Sequence, residues 1–354
     1  MSPRHAAADL RAFATNLLTR AGLDGDKGGV VAEILVEADL LGHTTHGLAL
    51  LPGYLAELEK GTMTKTGEPR VLASLAAAIT WDGRRLPGPW LTVRALDWAM
   101  DRARTYGTCT VVIRRSHHIG CLAAYLQRAT DRGLMVILSC SDPSVVSVAP
   151  HGGRAPVMTP NPLAAAWPTA GAPVILDVSM SITTNGLTNR LRTEQKKFPG
   201  TWALNADGTP TDDPAALATT PPGTLLPAGG LDHGHKGYAL GLLVEALTGG
   251  LAGHGRADPT EGWGASVFLQ VLAPDLFGGE ADFRRQTEQL AAACRATPPR
   301  PGFARVRLPG ENGLRRRAEQ LAHGVELHPS ILPALAPWAE KLRVPSPQSL
   351  SRNT

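Results

Sequence analysis

The sequence lacks most of the signatures that assign a chain to a reaction class. No GxGxxG follows a strand-like run anywhere in its 354 residues, which disfavours an ordinary Rossmann dinucleotide site. Walker loops, HExxH and GxSxG are absent too, so P-loop, zincin and α/β-hydrolase chemistry have no support. The four cysteines, Cys109, Cys121, Cys140 and Cys294, form no CxxC pair. That spacing spells neither a zinc framework nor a secreted disulfide scaffold, and a reducing cytoplasm is expected. No run approaches the ~20 apolar residues of a membrane span. The opening MSPRHAAADLRAFATNLLTRAG carries charges throughout and reads as an amphipathic helix rather than a signal peptide. A net charge of +4 with 5% aromatics offers no basic, aromatic-interleaved face for nucleic acid. What is present, 43% hydrophobic and 19% charged residues, is ordinary for a globular enzyme with room for two or three cores.

Periodicity divides the chain into three parts. Helical patterns at 5–21, 27–41 and 47–60 fill a helical N-terminal part, residues 1–70. A sheet-centred region, 71–300, follows. Its strand-like runs begin at 71, 108, 134, 172 and 264, with helices near 90–106, 120–132 and 235–249. Within it, residues 189–225 are rich in Pro, Thr, Asp and Gly and read as an irregular excursion. The last part, 301–354, combines a strand-like FARVRLP at 303–309 with helices near 311–323 and 329–342 and ten disordered final residues. Helical ends around an α/β middle imply that the termini pack together.

Four segments carry residues suited to chemistry. In DLLGHTTHGLALLPGYLAEL a helix stops at Gly42, and Thr45 and His46 precede the next helical segment. A helix N-terminus favours a neutral imidazole, and a hydroxyl beside it suits proton transfer; a plain helix cap is the alternative reading. Ser116-His117-His118-Ile119-Gly120 closes a strand in a polar turn, the place where open α/β folds hold ligands. Gly229 to Tyr238 joins glycines to Lys236 at a helix start, a phosphate-friendly combination. His233 and His235 in that segment have no third ligand nearby, so no metal site is expected. Leu308-Pro309-Gly310-Glu311 is a turn before an acidic helix start and says little alone.

In this order the segments resemble the malate/L-lactate dehydrogenase family, which includes sulfolactate and ureidoglycolate dehydrogenases and cyclic-imine carboxylate reductases. The matching stretches span nearly the whole chain: GHTTHG, SHHIG, NPLA from Asn161 to Ala164, ILDVSMS from Ile175 to Ser181, GHKGYALGLLVEALTGGLAG, and LPGE with RRRAEQLAHGVELHP. The resemblance implies an α/β fold with a largely antiparallel central sheet, a non-Rossmann nicotinamide site and a helical domain built from both termini. It further implies a homodimer with its site near the interface, and reversible hydride transfer between NAD or NADP and a 2-oxo acid or cyclic imine.

By position, His46 matches the family's proton donor/acceptor, and Thr45 falls where a Ser is usual. His118, Ile119 and Gly120 match the turn beside the nicotinamide. Asp177 through Ser181, His235-Lys236-Gly237 and Pro309-Gly310-Glu311 match cofactor-lining positions. Two positions depart from the pattern. Leu50 stands where an Arg commonly clamps the substrate carboxylate, and Leu187 where an acidic residue commonly poises the His. A bulkier or less charged 2-oxo acid, ketone or imine is therefore expected, with Arg190 or Arg192 available to replace the missing Arg. A member that has lost catalysis and binds only a cofactor or partner is the alternative. A metal hydrolase built on the scattered histidines has no ligand spacing behind it.

Overall fold

A computed structural model describes residues 3–259 and 261–350. In chain order the elements are β1 (Arg4–His5), α1 (Ala7–Arg20), α2 (Gly25–Leu41), α3 (Leu51–Lys60), β2 (Arg70–Leu75), β3 (Ala78–Asp82), α4 (Gly88–Tyr106), β4 (Thr108–Ser116) and α5 (Ala123–Thr130). Then come β5 (Met135–Ser141), β6 (Pro162–Trp167), β7 (Val174–Ser179), α6 (Asn185–Thr193), β8 (Ala203–Leu204), β9 (Pro210–Thr211), β10 (Thr224–Leu225) and α7 (Gly230–Glu245). The chain closes with β11 (Ala265–Leu272), α8 (Glu280–Ala296), α9 (Glu311–His323), β12 (Val325–Glu326) and α10 (Ile331–Leu342).

The central sheet has seven strands in the order β2-β3-β4-β11-β5-β6-β7. Only the β3–β4 pair is parallel; the others are antiparallel. The inner strands read TCTVVIRRS, MVILSCS and ASVFLQVL, rich in β-branched and apolar residues because both faces are covered. On one face Leu96, Met100, Leu122 and Leu126 of the helical layer pack against Val111, Val136 and Val267. On the other, Val112 and Phe268 meet Ala252 and Leu247, next to a turn of π-helix at Ala246–Gly250.

A second core joins the two ends of the chain. Leu10, Leu17, Leu35, Leu55 and Tyr54 from the N-terminal helices pack with Val325, Ile331 and Leu335 from the C-terminal segment. α9 clips onto α2 through Arg317–Glu37 at 2.5 Å and through the Gln320 amide, which donates to the carbonyls of Asp39 and Leu40. α2 serves both cores: Ile34 and Ala38 face the sheet layer, while Val31 and Leu35 face the helical one. It stops at Gly42, whose φ of +91° is the left-handed conformation that ends helices.

Several expectations need correction. The run 303–309 alternates like a strand but forms none, meeting the sheet edge where the Ile175 amide donates to the Pro309 carbonyl. The excursion 189–225 holds the second half of α6, a three-stranded sheet of β10-β8-β9 and a short 3₁₀ turn, whose Phe198, Ala203 and Leu225 form a small core with Val148, Met158 and Met180. Helix α7 begins at Gly230, earlier than expected, with non-helical backbone at His233. Of the ten residues expected to be disordered, 345–350 lie against the N-terminus: the Leu350 amide donates to the Arg4 carbonyl at 2.8 Å, and His5 Nδ1 meets the Gln348 carbonyl at 2.9 Å. Residues 351–354 lie outside the described residues. Among the described residues no helix is long and apolar enough to cross a membrane.

Candidate active site

The loop after α2 is pinned before its side chains are presented. Gly42 turns the chain, the His43 amide bonds back to Ala38, and Leu48 donates to Asp39 Oδ2 at 2.7 Å. Asp39 is fully buried against Gly47, where any Cβ would strike its carboxylate, and its Oδ1 has no partner among the described residues. Burial pushes this carboxyl up to about 7, despite the Leu48 amide and the nearby charge of Arg190. Arg190 ties the other side of the loop, donating to Thr44 Oγ1 and to the Thr44 carbonyl, both at 2.8 Å.

Thr45 Oγ1 and His46 Nδ1 stand 2.9 Å apart. Gly186, in the first turn of α6, lies over the pair; a Cβ there would sit 3.1 Å from the Thr45 Cβ and 3.5 Å from His46 Cε1. The sequence placed His46 at the start of the helix that follows it. The structure instead sets the start of α6, from a distant part of the chain, against it. The imidazole is held below its ordinary pKa, chiefly by burial. Asp177 opposes that shift, and His43 and Arg190 add to it.

Facing it is His118, ring centroids 6.2 Å apart and nearly parallel at 28°. The Gly120 amide donates to His118 Nδ1 at 3.2 Å, and the Tyr54 hydroxyl, 3.0 Å from the same nitrogen, donates to the His118 carbonyl at 3.1 Å. With Nδ1 accepting from the Gly120 amide, the proton of the neutral ring sits on Nε2, which His118 presents as a donor. Burial holds its pKa well below the usual value. Trp263 covers the ring at 4.8 Å and also contacts Tyr54 and His117. His117 is completely buried and neutral, pushed down by desolvation, with Glu57 at 3.6 Å. Tyr54 and Trp263 escaped the sequence reading because they carry no local motif, and His117, inside the SHHIG turn, received no role of its own; the three meet through packing.

A cleft of about 550 Å³ adjoins this box. His43, Asp177, Pro309 and Gly310 line it with Ala123, Arg307 and Asn312. Asp177 accepts from the Ala123 amide at 2.9 Å, anchoring the start of α5 to the sheet edge. Gly310, at φ +89°, presses its Cα against β7; a Cβ there would lie 2.9–3.0 Å from Ile175. The volume suits a small-molecule site, and the glycine turn seats the Leu308–Gly310 segment against β7 as one wall of it. These residues fit a dinucleotide.

The remaining expected residues fall elsewhere. Ile119 is buried in the sheet-layer core, and Gly120 lies 3.6 Å (measured from a Cβ built on it) from the His46 carbonyl. Ser181 donates to the Thr183 carbonyl at 2.6 Å and shapes the turn into α6. Glu311 turns away from the cleft to Arg295 and Arg305. His235 and Lys236 are exposed on α7 and do not line the cleft; Gly237 packs against Ala228 and Met180. Leu50 is half-buried at the edge of the helical core, and the Leu187 amide caps onto Thr184 Oγ1. Arg190 reaches the His46 loop, whereas Arg192 faces solvent.

The profile of the family described as malate/L-lactate dehydrogenase matches residues 5–336. L-lactate dehydrogenase of Cupriavidus necator is 32% identical over 347 residues, covering 95% of this chain and 97% of that one. Malate dehydrogenase from Entamoeba histolytica superposes with a TM-score of 0.91 at 25% identity, covering 98% of this chain and all of its own. Δ1-piperideine-2-carboxylate reductase from Pseudomonas syringae pvar. tomato superposes at 0.84 with 28% identity, covering 95% of this chain and 99% of its own.

Proposed function

Because this chain belongs to the malate/L-lactate dehydrogenase family and is an oxidoreductase of that kind, we propose that it transfers hydride reversibly between NAD or NADP and a 2-hydroxy/2-oxo acid or a related ketone or cyclic imine. His46 is the proton donor/acceptor. The observation that carries this reading is the Thr45–His46 pair, closed over by Gly186 and facing the neutral N–H of His118 beside an open cleft.

A nicotinamide dinucleotide bound in the cleft supplies or accepts the hydride. His43, Asp177, Pro309 and Gly310 would hold it, with Ile119, Gly120 and Ser181 shaping the backbone around it. As charge develops on the substrate oxygen or nitrogen, His46 delivers the proton that neutralises it, and Thr45 keeps the imidazole oriented. His118 donates from Nε2 toward the same polar atom. The dry wall of Tyr54, Trp263 and His117 keeps water from competing for that proton.

Substrate choice follows from the apolar positions. By the family resemblance Leu50 and Leu187 stand where two charged substrate-side groups are usual, and Arg190 is engaged with Thr44, where it fixes the loop. The substrate is accordingly less charged or bulkier than lactate or malate. The exposed leucines of α7, Leu231, Leu240, Leu242 and Leu243, together with Leu251, support a homodimer. Such an interface would bring the exposed His235 and Lys236 toward a neighbouring subunit's cleft, with Gly237 seating their helix on Ala228 and Met180. Sedimentation should read twice the 37.3 kDa chain mass, and a monomer would remove that part of the reading. The protein acts in the cytoplasm on this account.

The test is oxidation of NADH and of NADPH against a panel of 2-oxo acids, neutral ketones and cyclic imines. Wild type and His46→Ala are compared in parallel. Turnover present in the first and lost in the second is expected; turnover that survives the substitution would take His46 out of the role.

A further inference from the structure

We propose that His43, Cys121 and Asp177 form a zinc-binding site on the wall of the cleft, and that zinc and the dinucleotide exclude one another there. One ligand atom from each residue lies within 4.8 Å of the others. Cys121 Sγ and Asp177 Oδ2 are 3.6 Å apart. Zinc bonds of ~2.3 Å to sulfur and ~2.1 Å to oxygen at a tetrahedral angle separate the two donors by about 3.6 Å, so this edge of the site needs no rearrangement. His43 closes the triangle through a side-chain rotation at a half-exposed position.

The three residues come from three separate elements, so no sequence spacing announces them. His43 follows the left-handed turn at Gly42, Cys121 precedes α5, and Asp177 lies on β7. Asp177 is already oriented by the Ala123 amide, the kind of outer contact that fixes a metal ligand's direction. A mixed nitrogen, sulfur and oxygen donor set suits zinc and discriminates against magnesium and calcium, which prefer oxygen alone. Three protein ligands leave a fourth position, and His43 and Asp177 turn it toward the cleft. Metal uptake replaces the Cys121 thiol proton by the cation, with no change of oxidation state.

Mutual exclusion rests on reading the cleft as the dinucleotide site; metal binding does not. The experiment therefore begins without cofactor. Metal-free protein is titrated with cobalt(II), reading the near-ultraviolet thiolate-to-cobalt band, and the cobalt is then displaced with zinc. One equivalent is expected, with the band lost in Cys121→Ser and affinity at least about tenfold weaker in His43→Asn. No band, or an unchanged band in both variants, would overturn the site. Should Cys121→Ser fail to fold by circular dichroism, His43→Asn decides alone. A second arm follows NADH and NADPH fluorescence on binding, with and without equimolar zinc. Weakened binding in wild type but not in Cys121→Ser supports exclusion, and unaffected binding overturns it. Absence of any cofactor binding would instead count against the functional reading and leave the metal result standing.

Discussion

The His46 side of the site and the cleft beside it are built from opposite materials. Around His46 stand rings packed away from water: His118, His117, Tyr54 and Trp263, with centroid distances of 4.8–6.2 Å among the contacts. Burial lowers the pKa of all three histidines there. The cleft is open and, among the described residues, has no Phe, Tyr or Trp in its lining: aliphatic residues such as Leu41, Ile175 and Leu314 alternate with His43, Asp177, Arg307 and Asn312 and with the glycine turn at Gly310. Proton transfer gains from a fixed, poorly solvated dipole, whereas a long ligand needs backbone that it can approach. Each side keeps the composition its task requires, and they meet at Asp177, which lines the cleft and whose charge acts on His46.

The comparison can be broken most sharply at His46. His46→Ala should reduce turnover by ~10²–10⁴-fold while leaving cofactor fluorescence titrations unchanged, since the loss falls on the dry side only. An equal loss of cofactor affinity would show that the two sides are not separable.

Next in size is Asp39. Its carboxyl titrates near 7 in the folded chain against an ordinary value of 3.8. Between those values the folded state holds a proton that the unfolded state has released, so stability falls as pH rises through this window. Above it the buried charge costs roughly 3–5 kcal/mol. Asp39→Asn mimics the protonated form and should raise the melting temperature at pH 8 but not at pH 4. His117 has the opposite slope: its folded pKa of about 4 lies below the ordinary 6.5, so stability falls as pH drops from 6.5 toward 4. A wild-type melting profile without either slope would contradict both assignments.

Leu50→Arg tests the apolar substrate side. A restored carboxylate clamp of ~1.5–3 kcal/mol should raise kcat/KM on simple 2-oxo acids by tenfold to over a hundredfold. No gain would mean that selectivity lies elsewhere. The smallest effect is expected from Tyr54→Phe, which frees His118 Nδ1 and the His118 carbonyl of one shared hydroxyl. A loss of ~0.5–1.5 kcal/mol, read as a modest drop in kcat with little change in cofactor affinity, would sharpen the division between the sides.

Parts of this architecture were legible residue by residue. The apolar periodicity of α1 and α10 marked the helical ends, and the glycine after Leu41 marked the break before His46. β6 was harder to read: PLAAAW is alanine-rich, carries little strand propensity, and is held in place by its neighbours on both sides. FARVRLP shows the reverse case, an alternating pattern that found no partner strand. Nor could the sequence place β11 between β4 and β5, because that pairing joins segments more than a hundred residues apart.

The sequence by itself determined the element types where period and punctuation agree, the absence of a glycine-rich dinucleotide fingerprint, and the presence of a hydroxyl–imidazole pair on a short loop. Tertiary structure alone decided what surrounds that pair. Gly186 reaches His46, Tyr54 orients His118, and Cys121 meets Asp177 only because α6, α3, α5 and the sheet are packed around common cores. Local propensity depends on neighbours along the chain, while pKa, tautomer and ligand geometry depend on neighbours across it, and folding is what supplies the second set.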